Sequence, residues 1–105
     1  MLQVELSTSD WAASAYIART FIDRLFGNLR TPRGSALVLR ARSVHSFGQR
    51  NPIQIVGLDA GMRVVATRTL VPNRISVIPS ARMILELPEG SPVPMVAERI
   101  EMTHG

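Results

Sequence analysis

The chain has 105 residues, of which 46% are hydrophobic and 19% are charged, and its net charge is +4. This length and hydrophobic content predict a single packed domain over residues 1–105. The chain contains no cysteine and no lysine, which excludes a disulfide framework, a thiol nucleophile, a Schiff-base lysine and a P-loop lysine. Its two histidines, His45 and His104, are too few for a multi-histidine metal centre within one chain. We therefore assign no catalytic residue, no metal and no cofactor.

No segment of the sequence has the pattern of a targeting signal or a membrane span. The first five residues lack the basic start and the apolar run of a secretion signal. The longest apolar-rich segment, Trp11–Phe26, is interrupted by three charged residues, whereas a membrane-spanning helix needs about 18 consecutive apolar residues. The sequence therefore predicts a soluble, cytoplasmic protein.

The basic residues are concentrated in the middle of the chain. Residues 24–58 contain six arginines and no acidic residue, a pattern that is typical of an anion-binding or nucleic-acid-binding surface. Phe26 and Phe47 are the two aromatic residues of this segment, which is few for base stacking. The composition therefore favours a protein partner or a small ligand over nucleic acid. A weak nucleic-acid binder that acts through Arg24–Arg50 stays open as an alternative.

The N-terminal part of the sequence predicts one strand followed by one helix. Apolar and polar residues alternate over residues 2–6, which is typical of a half-buried strand. A Ser-Thr-Ser-Asp run then offers helix N-caps, and apolar residues recur at three- and four-residue spacing from Trp11 to Phe26. This spacing predicts an amphipathic helix over residues 10–27 that ends near Gly27, with its aromatic residues in the core.

The rest of the chain predicts strands after a loop over residues 28–34. The apolar run over residues 36–39 indicates a strand that is buried on both faces. The turn Asp59–Met62, in which Gly61 is available for a positive φ, predicts a hairpin between two strands. The tail over residues 91–105 has no defined element. The other predicted extended segments are residues 43–48, 53–58, 63–70, 75–78 and 82–87.

Together these elements predict an α+β fold: one N-terminal helix packed on a small, mostly antiparallel β-sheet that is curled into a barrel-like form. An edge strand of this sheet, such as residues 2–6 or 83–87, would carry unpaired backbone groups that can pair across a two-fold axis. The sequence therefore leaves a homo-oligomer open.

Several short motifs follow one another along residues 18–90, among them Val44–Phe47 and the Leu-Glu-Leu-Pro run of residues 85–88. They resemble the motifs of a bacterial and archaeal family called domain of unknown function 192, in which Val44–Phe47 is similar to a Val-His-Thr-Phe signature and residues 85–88 to the closing Leu-Glu-Leu-Pro pattern. In chain order, the segments that carry the resemblance are residues 18–21, 24–30, 34–39, 43–48, 52–53, 58–59, 61, 64–65, 81, 85–88 and 90.

Two positions depart from the pattern of that family. The chain has Gln49 where the family usually has methionine, and Gln54 where it usually has aspartate. A glutamine amide does not ionise, which excludes carboxylate chemistry at position 54. The family has no established activity, so the resemblance implies mainly a fold. Exported relatives in that family suggest a link to cell-envelope or secretion functions by analogy.

Four residues form the candidate ligand-binding set: His45, Gln54, Arg40 and Arg42. His45 is suited to ligand contact or proton transfer, and the alternative is a strand histidine that binds a backbone carbonyl and fixes the turn at Gly48. Arg40 and Arg42 are predicted to share one strand face, where they could hold an anion together. The alternative for this pair is two solvent-exposed arginines on the outside of a sheet.

Two acidic residues have structural interpretations. Asp59 is typical of a turn residue whose side chain accepts from backbone N–H groups two residues onward. Glu86 alternates with Leu85 and Leu87, which predicts that it faces solvent, and a pairing with a nearby arginine stays open. The leading functional hypothesis is accordingly a non-catalytic small binding or accessory domain. The alternative is a small-ligand binder or an enzyme that uses the loop His45–Pro52.

Overall fold

Nine β-strands make up the described part of the chain. The structure is a computed structural model of the 105-residue protein, and it describes residues 2–18 and 35–104. In chain order the strands are β1 (Leu2–Ser7), β2 (Ala12–Ala18), β3 (Ala36–Leu39), β4 (Ser43–His45), β5 (Ile53–Leu58), β6 (Val64–Leu70), β7 (Ile75–Val77), β8 (Met83–Pro88) and β9 (Glu101–His104). These two ranges contain no helix, and hence none that is long and apolar enough to cross a membrane.

The predicted helix over residues 10–27 is wrong where the structure describes it. The residues that follow Trp11 form β2, which pairs antiparallel with all of β1. Ala15 and Ile17 pack in one apolar cluster, whereas Tyr16 and Ala18 pack in another on the opposite face. Over Ala15–Ala18 both faces of β2 are at least partly buried, so this part of the strand needs no polar face, and its apolar spacing also fits the stripe of an amphipathic helix.

The described residues therefore form an all-β fold, and the predicted α+β class is wrong. The remainder of the predicted helix, residues 19–27, lies outside the described residues and includes Phe21 and Phe26. The strands predicted near residues 2–6, 36–39 and 53–58 are confirmed. The hairpin of β5 and β6 is also confirmed.

The strands form two sheets. The larger has seven strands in the order β6-β5-β8-β3-β2-β1-β9, and the smaller is a two-stranded ribbon of β4 and β7. The β2–β3 pair is parallel, while the other neighbours in the larger sheet are antiparallel. The mostly antiparallel character predicted for the sheet is thus confirmed.

The two edges of the seven-stranded sheet meet at one end. Arg63, just before β6, forms an isolated antiparallel bridge with Arg99, just before β9. The accompanying backbone hydrogen bonds run from Val64 N–H to Glu98 O (2.9 Å), from Ile100 N–H to Met62 O (2.8 Å) and from Ala97 N–H to Val64 O (2.8 Å). These bonds curl the sheet around one interior and pair backbone groups that an open edge would expose.

Apolar side chains cover both faces of this curled sheet. The inner cluster includes Val64 and Ile100, which belong to the two joined edges, together with residues from the strands between them. The outer cluster contains Ile55 and Ile84 of the sheet and also Val44 of the ribbon. The ribbon therefore lies on the outer face, and β3 is buried on both faces as predicted.

The turn between β5 and β6 depends on Asp59. Its Oδ1 accepts hydrogen bonds from the N–H of Gly61 at 2.8 Å and from the N–H of Arg63 at 3.0 Å, which confirms Asp59 as a turn residue. Gly61, which was available for a positive φ, does not take one; Met62 takes the left-handed conformation instead, with φ 65°. In the tail, for which the sequence predicts no element, Ile100 is buried and β9 follows.

Candidate functional site

A close approach between Gly57 and Ile78 seats the ribbon on the sheet. A Cβ at position 57 would lie 3.0 Å from both Cδ1 and Cγ2 of Ile78, which is closer than an ordinary van der Waals contact. Ile78 directly follows β7 and is buried, and its N–H donates to the carbonyl of Arg42 at 2.7 Å. A larger side chain at position 57 would therefore push the ribbon away from the sheet.

Ser46 connects the end of β4 to the loop between β6 and β7. Its side chain is fully buried, and its Oγ donates to the carbonyl of Val71 at 2.6 Å and accepts from the N–H of Arg74 at 2.9 Å. Its carbonyl accepts from the N–H of Asn73 at 3.1 Å. Buried polar groups without partners are costly, so this paired serine determines the path of the loop.

The outward side of the ribbon exposes large apolar side chains. In the antiparallel register His45 lies opposite Ile75 and Ser43 lies opposite Val77, so these four side chains share one face. Ile75 is 63% exposed, Val77 is 54% exposed, and Phe47, just beyond β4, is 52% exposed. We call the set of His45, Phe47, Ile75 and Val77 the ribbon face.

His45 is engaged within its own turn. Its ring stacks on the ring of Phe47 with centroids 5.1 Å apart and planes inclined by 22°. Its Nδ1 accepts a hydrogen bond from the N–H of Phe47 at 3.3 Å. The chain then reverses at Gly48, whose φ of 79° suits glycine. The pair of rings forms a flat aromatic end to the ribbon face.

Arg40 and Arg42 lie in the bend between β3 and β4 and not on one strand face. Both side chains are exposed, and Arg40 has an interaction partner. Arg42 directly precedes Ser43, so it stands at one end of the ribbon, whereas Arg74 directly precedes Ile75 at the other end. The structure thus places Arg42 directly beside the two-stranded ribbon that carries His45.

Gln54 lies on the other side of the seven-stranded sheet. On β5 it alternates with Ile53 and Ile55 of the outer cluster, so its side chain lies on the inner side. There its Oε1 accepts from the hydroxyl of Thr69 at 3.1 Å. The sheet separates Gln54 from the ribbon, so the structure does not bring it together with His45.

The expectation that Glu86 faces solvent is wrong. Glu86 is 4% exposed and lies on β8 between Leu37 of β3 and Ile55 of β5. Alternation along β8 distinguishes two faces, but it does not show that a further layer covers the outer one. Glu86 has an interaction partner, in keeping with the cost of burying an unpaired carboxylate.

A cleft of about 210 Å³ beside Trp11 is a second candidate site. Ligand pockets usually have volumes of roughly 300–1,000 Å³ and several convergent polar groups. In this cleft the hydroxyl of Ser14 already donates to Glu5 at 2.6 Å, and Nε1–H of Trp11 donates to the carbonyl of Pro92 at 2.9 Å. Its small size and engaged polar groups make it a poorer candidate than the ribbon face.

Sequence reasoning missed Phe47, Ile75 and Val77 as surface residues. Alternating apolar residues in an extended segment ordinarily indicate a core face. No signal in the sequence distinguishes this apolar face from a buried one, because the distinction depends on which face of the ribbon the sheet covers. Among the residues that the structure describes, no group of three or more His, Cys, Asp or Glu is arranged to hold a metal ion.

These features define a small all-β domain with an exposed apolar ribbon. The fold is similar to the crystal structure of a protein of unknown function from Novosphingobium aromaticivorans, with a TM-score of 0.72 and 15% sequence identity. The match covers 94% of this chain and 83% of the other. At this level of identity, the likeness shows the fold alone.

The sequence shows the family. It is 35% identical over 98 residues to a UPF0127 protein of Pyrococcus horikoshii, with 86% of this chain and 85% of the other protein covered. The chain therefore belongs to the uncharacterised protein family UPF0127. No family model matches the chain, and the name domain of unknown function 192 stays a prediction. Membership of an uncharacterised family is confirmed.

Proposed function

We propose that this protein is a non-catalytic binding domain that recognises a partner protein through the ribbon face. The proposal depends on one observation: Ile75 and Val77 of the ribbon and Phe47, just beyond β4, are each more than half exposed. Single exposed apolar residues are ordinary, whereas adjacent large ones are typical of an interaction site. Burying them against a partner contributes about 25 cal/mol for each Å² of apolar surface removed from water.

The scaffold beneath the ribbon face supports this role. The contact of Ile78 with Gly57 and the hydrogen bonds of Ser46 hold the ribbon in one position on the sheet. A surface that is ordered before binding loses less conformational entropy when the partner arrives. The ribbon is therefore suited to a stable contact.

Binding through the face is favoured over strand addition at the edge of β7. Nη1 of Arg68 donates to the carbonyl of Val77 at 2.9 Å and to the hydroxyl of Ser76 at 3.1 Å. A strand that paired along this edge would compete with Arg68 for the Val77 carbonyl. We therefore expect side-chain contacts with the ribbon face to supply most of the affinity.

The alternative of a small-ligand binder or an enzyme at the loop His45–Pro52 has less support. Nδ1 of His45 already accepts from Phe47, and Gln54 lies across the sheet. A cytoplasmic location and a link to the cell envelope or secretion stay predictions from the sequence and from the resemblance.

The test compares the wild-type chain with the variant Ile75→Ser/Val77→Ser. Each protein is immobilised and exposed to lysate of its source organism, and retained proteins are identified by mass spectrometry. We expect at least one partner to be retained by the wild type and lost by the variant. A photoreactive amino acid at position 75 should cross-link that partner, and calorimetry with the purified partner should show a loss of at least about tenfold in affinity.

The matched control is Met95→Ser/Val96→Ser. These two residues are 69% and 57% exposed in a different turn, so the control removes a similar apolar surface. Circular dichroism spectra and melting temperatures establish that all three proteins are folded. The proposal fails if the partners retained by the ribbon-face variant match those of the wild type, or if a photoreactive group at position 96 cross-links as well as one at position 75.

A further inference from the structure

The strands and loops that carry the ribbon face are strongly basic. Residues 40–52 and 71–82 contain β4, β7 and their adjoining loops. These two segments contain five arginines and no acidic residue. The local charge is therefore more positive than the net charge of +4 for the whole chain. Such a concentration of one sign attracts a partner of the opposite sign.

Three of these arginines flank the ribbon face with guanidinium groups that can still bind an anion. Arg42 and Arg74 stand at opposite ends of the ribbon, where alternation with Ser43 and Ile75 starts their side chains on the side away from the ribbon face, and Arg50 lies in the loop that follows Phe47. All three are exposed. Arg42 and Arg50 make no side-chain hydrogen bond to other described residues, and Arg74 donates one bond, to the Asn73 carbonyl at 3.3 Å. A guanidinium carries five N–H donors, so each retains donors for a carboxylate.

We infer that the ribbon face binds an acidic polypeptide segment in which carboxylates alternate with aliphatic side chains. This inference rests on the proposed function and adds the chemistry of the partner. Aliphatic side chains of the segment would cover Ile75 and Val77, while its carboxylates would reach Arg42 and Arg74 at the two ends. Charge complementarity supplies the orientation and the association rate, and apolar burial supplies most of the affinity.

A polypeptide fits this surface better than a nucleic acid or a second copy of the chain. Ile75 and Val77 are aliphatic, and the ring of Phe47 is already stacked on His45, so unstacked bases would find few open aromatic platforms. Two ribbon faces brought together would place two sets of arginines in opposition, and this repulsion disfavours a symmetric dimer.

The experiment uses fluorescein-labelled synthetic peptides of about twelve residues that alternate glutamate and leucine, with a glutamine–leucine peptide as the uncharged match. Fluorescence anisotropy measures their affinity for the full chain at NaCl concentrations between about 50 and 500 mM. We expect the acidic peptide to bind at least about tenfold more tightly than the uncharged peptide at low salt, and we expect this difference to shrink as salt rises.

Two variants separate the charge from the apolar surface. The double variant Arg42→Gln/Arg74→Gln should lower the affinity for the acidic peptide by about fivefold for each arginine and leave the affinity for the uncharged peptide unchanged. The control Arg63→Gln/Arg99→Gln removes the same charge beside the sheet edges, so it should lower the affinity for the acidic peptide by less and also leave the affinity for the uncharged peptide unchanged. The double variant Ile75→Ser/Val77→Ser should lower the affinity for both peptides.

The outcomes distinguish the inference from the proposed function. If the two peptides bind the wild type equally well and neither binds Ile75→Ser/Val77→Ser, the proposed function stands, but the inference of an acidic partner is overturned. Acidic-peptide binding that Ile75→Ser/Val77→Ser leaves unchanged would overturn both. The inference also fails if neither peptide binds, if single-stranded oligothymidine binds more tightly than the acidic peptide, or if ultracentrifugation shows a dimer that Ile75→Ser/Val77→Ser disrupts.

Discussion

The buried hydroxyl of Ser46 donates to the carbonyl of Val71 at 2.6 Å. Val71 directly follows β6 of the seven-stranded sheet, whereas Ser46 directly follows β4 of the ribbon. One serine therefore links the two sheets. The same hydroxyl accepts from the N–H of Arg74, so it also fixes the residue directly before β7. The position of the ribbon face depends on this contact as well as on apolar packing.

The variant Ser46→Ala should lower the free energy of unfolding by about 0.5–1.5 kcal/mol, because it removes the hydrogen bonds that the Ser46 hydroxyl makes with the Val71 carbonyl and the Arg74 N–H. Urea unfolding followed by the fluorescence of Trp11, the single tryptophan, measures the change. Ser43→Ala, at an exposed position of the same ribbon, is the control and should change stability by less than about 0.5 kcal/mol. Equal stability of the two variants would contradict the role of Ser46.

The packing of Ile78 on Gly57 predicts that substitutions at these two positions have non-additive effects on the free energy of unfolding. Gly57→Ala should cost about 1–3 kcal/mol by overpacking, and Ile78→Ala should cost about 2–5 kcal/mol by leaving a cavity. Because the new methyl group would occupy part of that cavity, the double variant should cost at least about 0.5 kcal/mol less than the sum.

Gly61→Ala is the control for this pair, because a Cβ there would meet nothing closer than Asp59 Oδ1 at 3.4 Å. It should cost less than Gly57→Ala in the same urea titration. Strict additivity of Gly57→Ala and Ile78→Ala would show that the close approach does not determine how the ribbon sits.

The left-handed backbone at Ala97 predicts that a glycine at this position stabilises the protein. Its φ is 77°, in the left-handed region, and its N–H donates to the carbonyl of Val64 across the joined edges. Ala97→Gly removes a strain of about 1–2 kcal/mol and adds unfolded-state entropy worth about 0.4–1 kcal/mol, so we expect a net gain of about 0.5 kcal/mol. Ala60→Gly, at an exposed turn position without a positive φ, should instead destabilise. Thermal melts that show the same sign for both variants would contradict the argument.

The joined edges predict that Ile100 is important for stability. Ile100 is 1% exposed in the inner cluster, and its N–H donates to the carbonyl of Met62. Ile100→Ala should lower the free energy of unfolding by about 2–5 kcal/mol. Met95→Ala, five residues earlier and 69% exposed, should have almost no effect. If the two variants unfold at the same urea concentration, residues 95–100 do not hold the edges together.

Local patterns predicted the strands well and failed where two structures share one pattern. The alternation in residues 2–6 and the apolar run in residues 36–39 each match a strand of the structure. Trp11–Ala18 fits both a helical stripe and a strand with two buried faces, and only its pairing with β1 decides between them. The positive φ of the turn is at Met62 and not at Gly61, because the hydrogen bonds that Asp59 accepts from Gly61 and Arg63 determine the turn.

The candidate site was less predictable than the strands. His45 and Arg42 were identified from residue type and lie on or beside the ribbon, whereas Gln54 lies across the sheet. Glu86 was expected in solvent and is buried, while Ile75 and Val77 are exposed although their pattern suits a core. These errors have one cause: alternation distinguishes two faces of a strand without showing which of them another layer covers.

The excluded chemistries, the positions of most strands, the Asp59 turn and the basic character of the middle segment can all be predicted from the amino-acid sequence alone. Those properties depend on residue type and on neighbours a few positions away. Three features become apparent only in the folded chain: β2 is a strand, the two sheet edges meet between residues 62–64 and 97–100, and the ribbon has an apolar face that points outward. Each of these depends on contacts between residues distant in the chain, which no local pattern records.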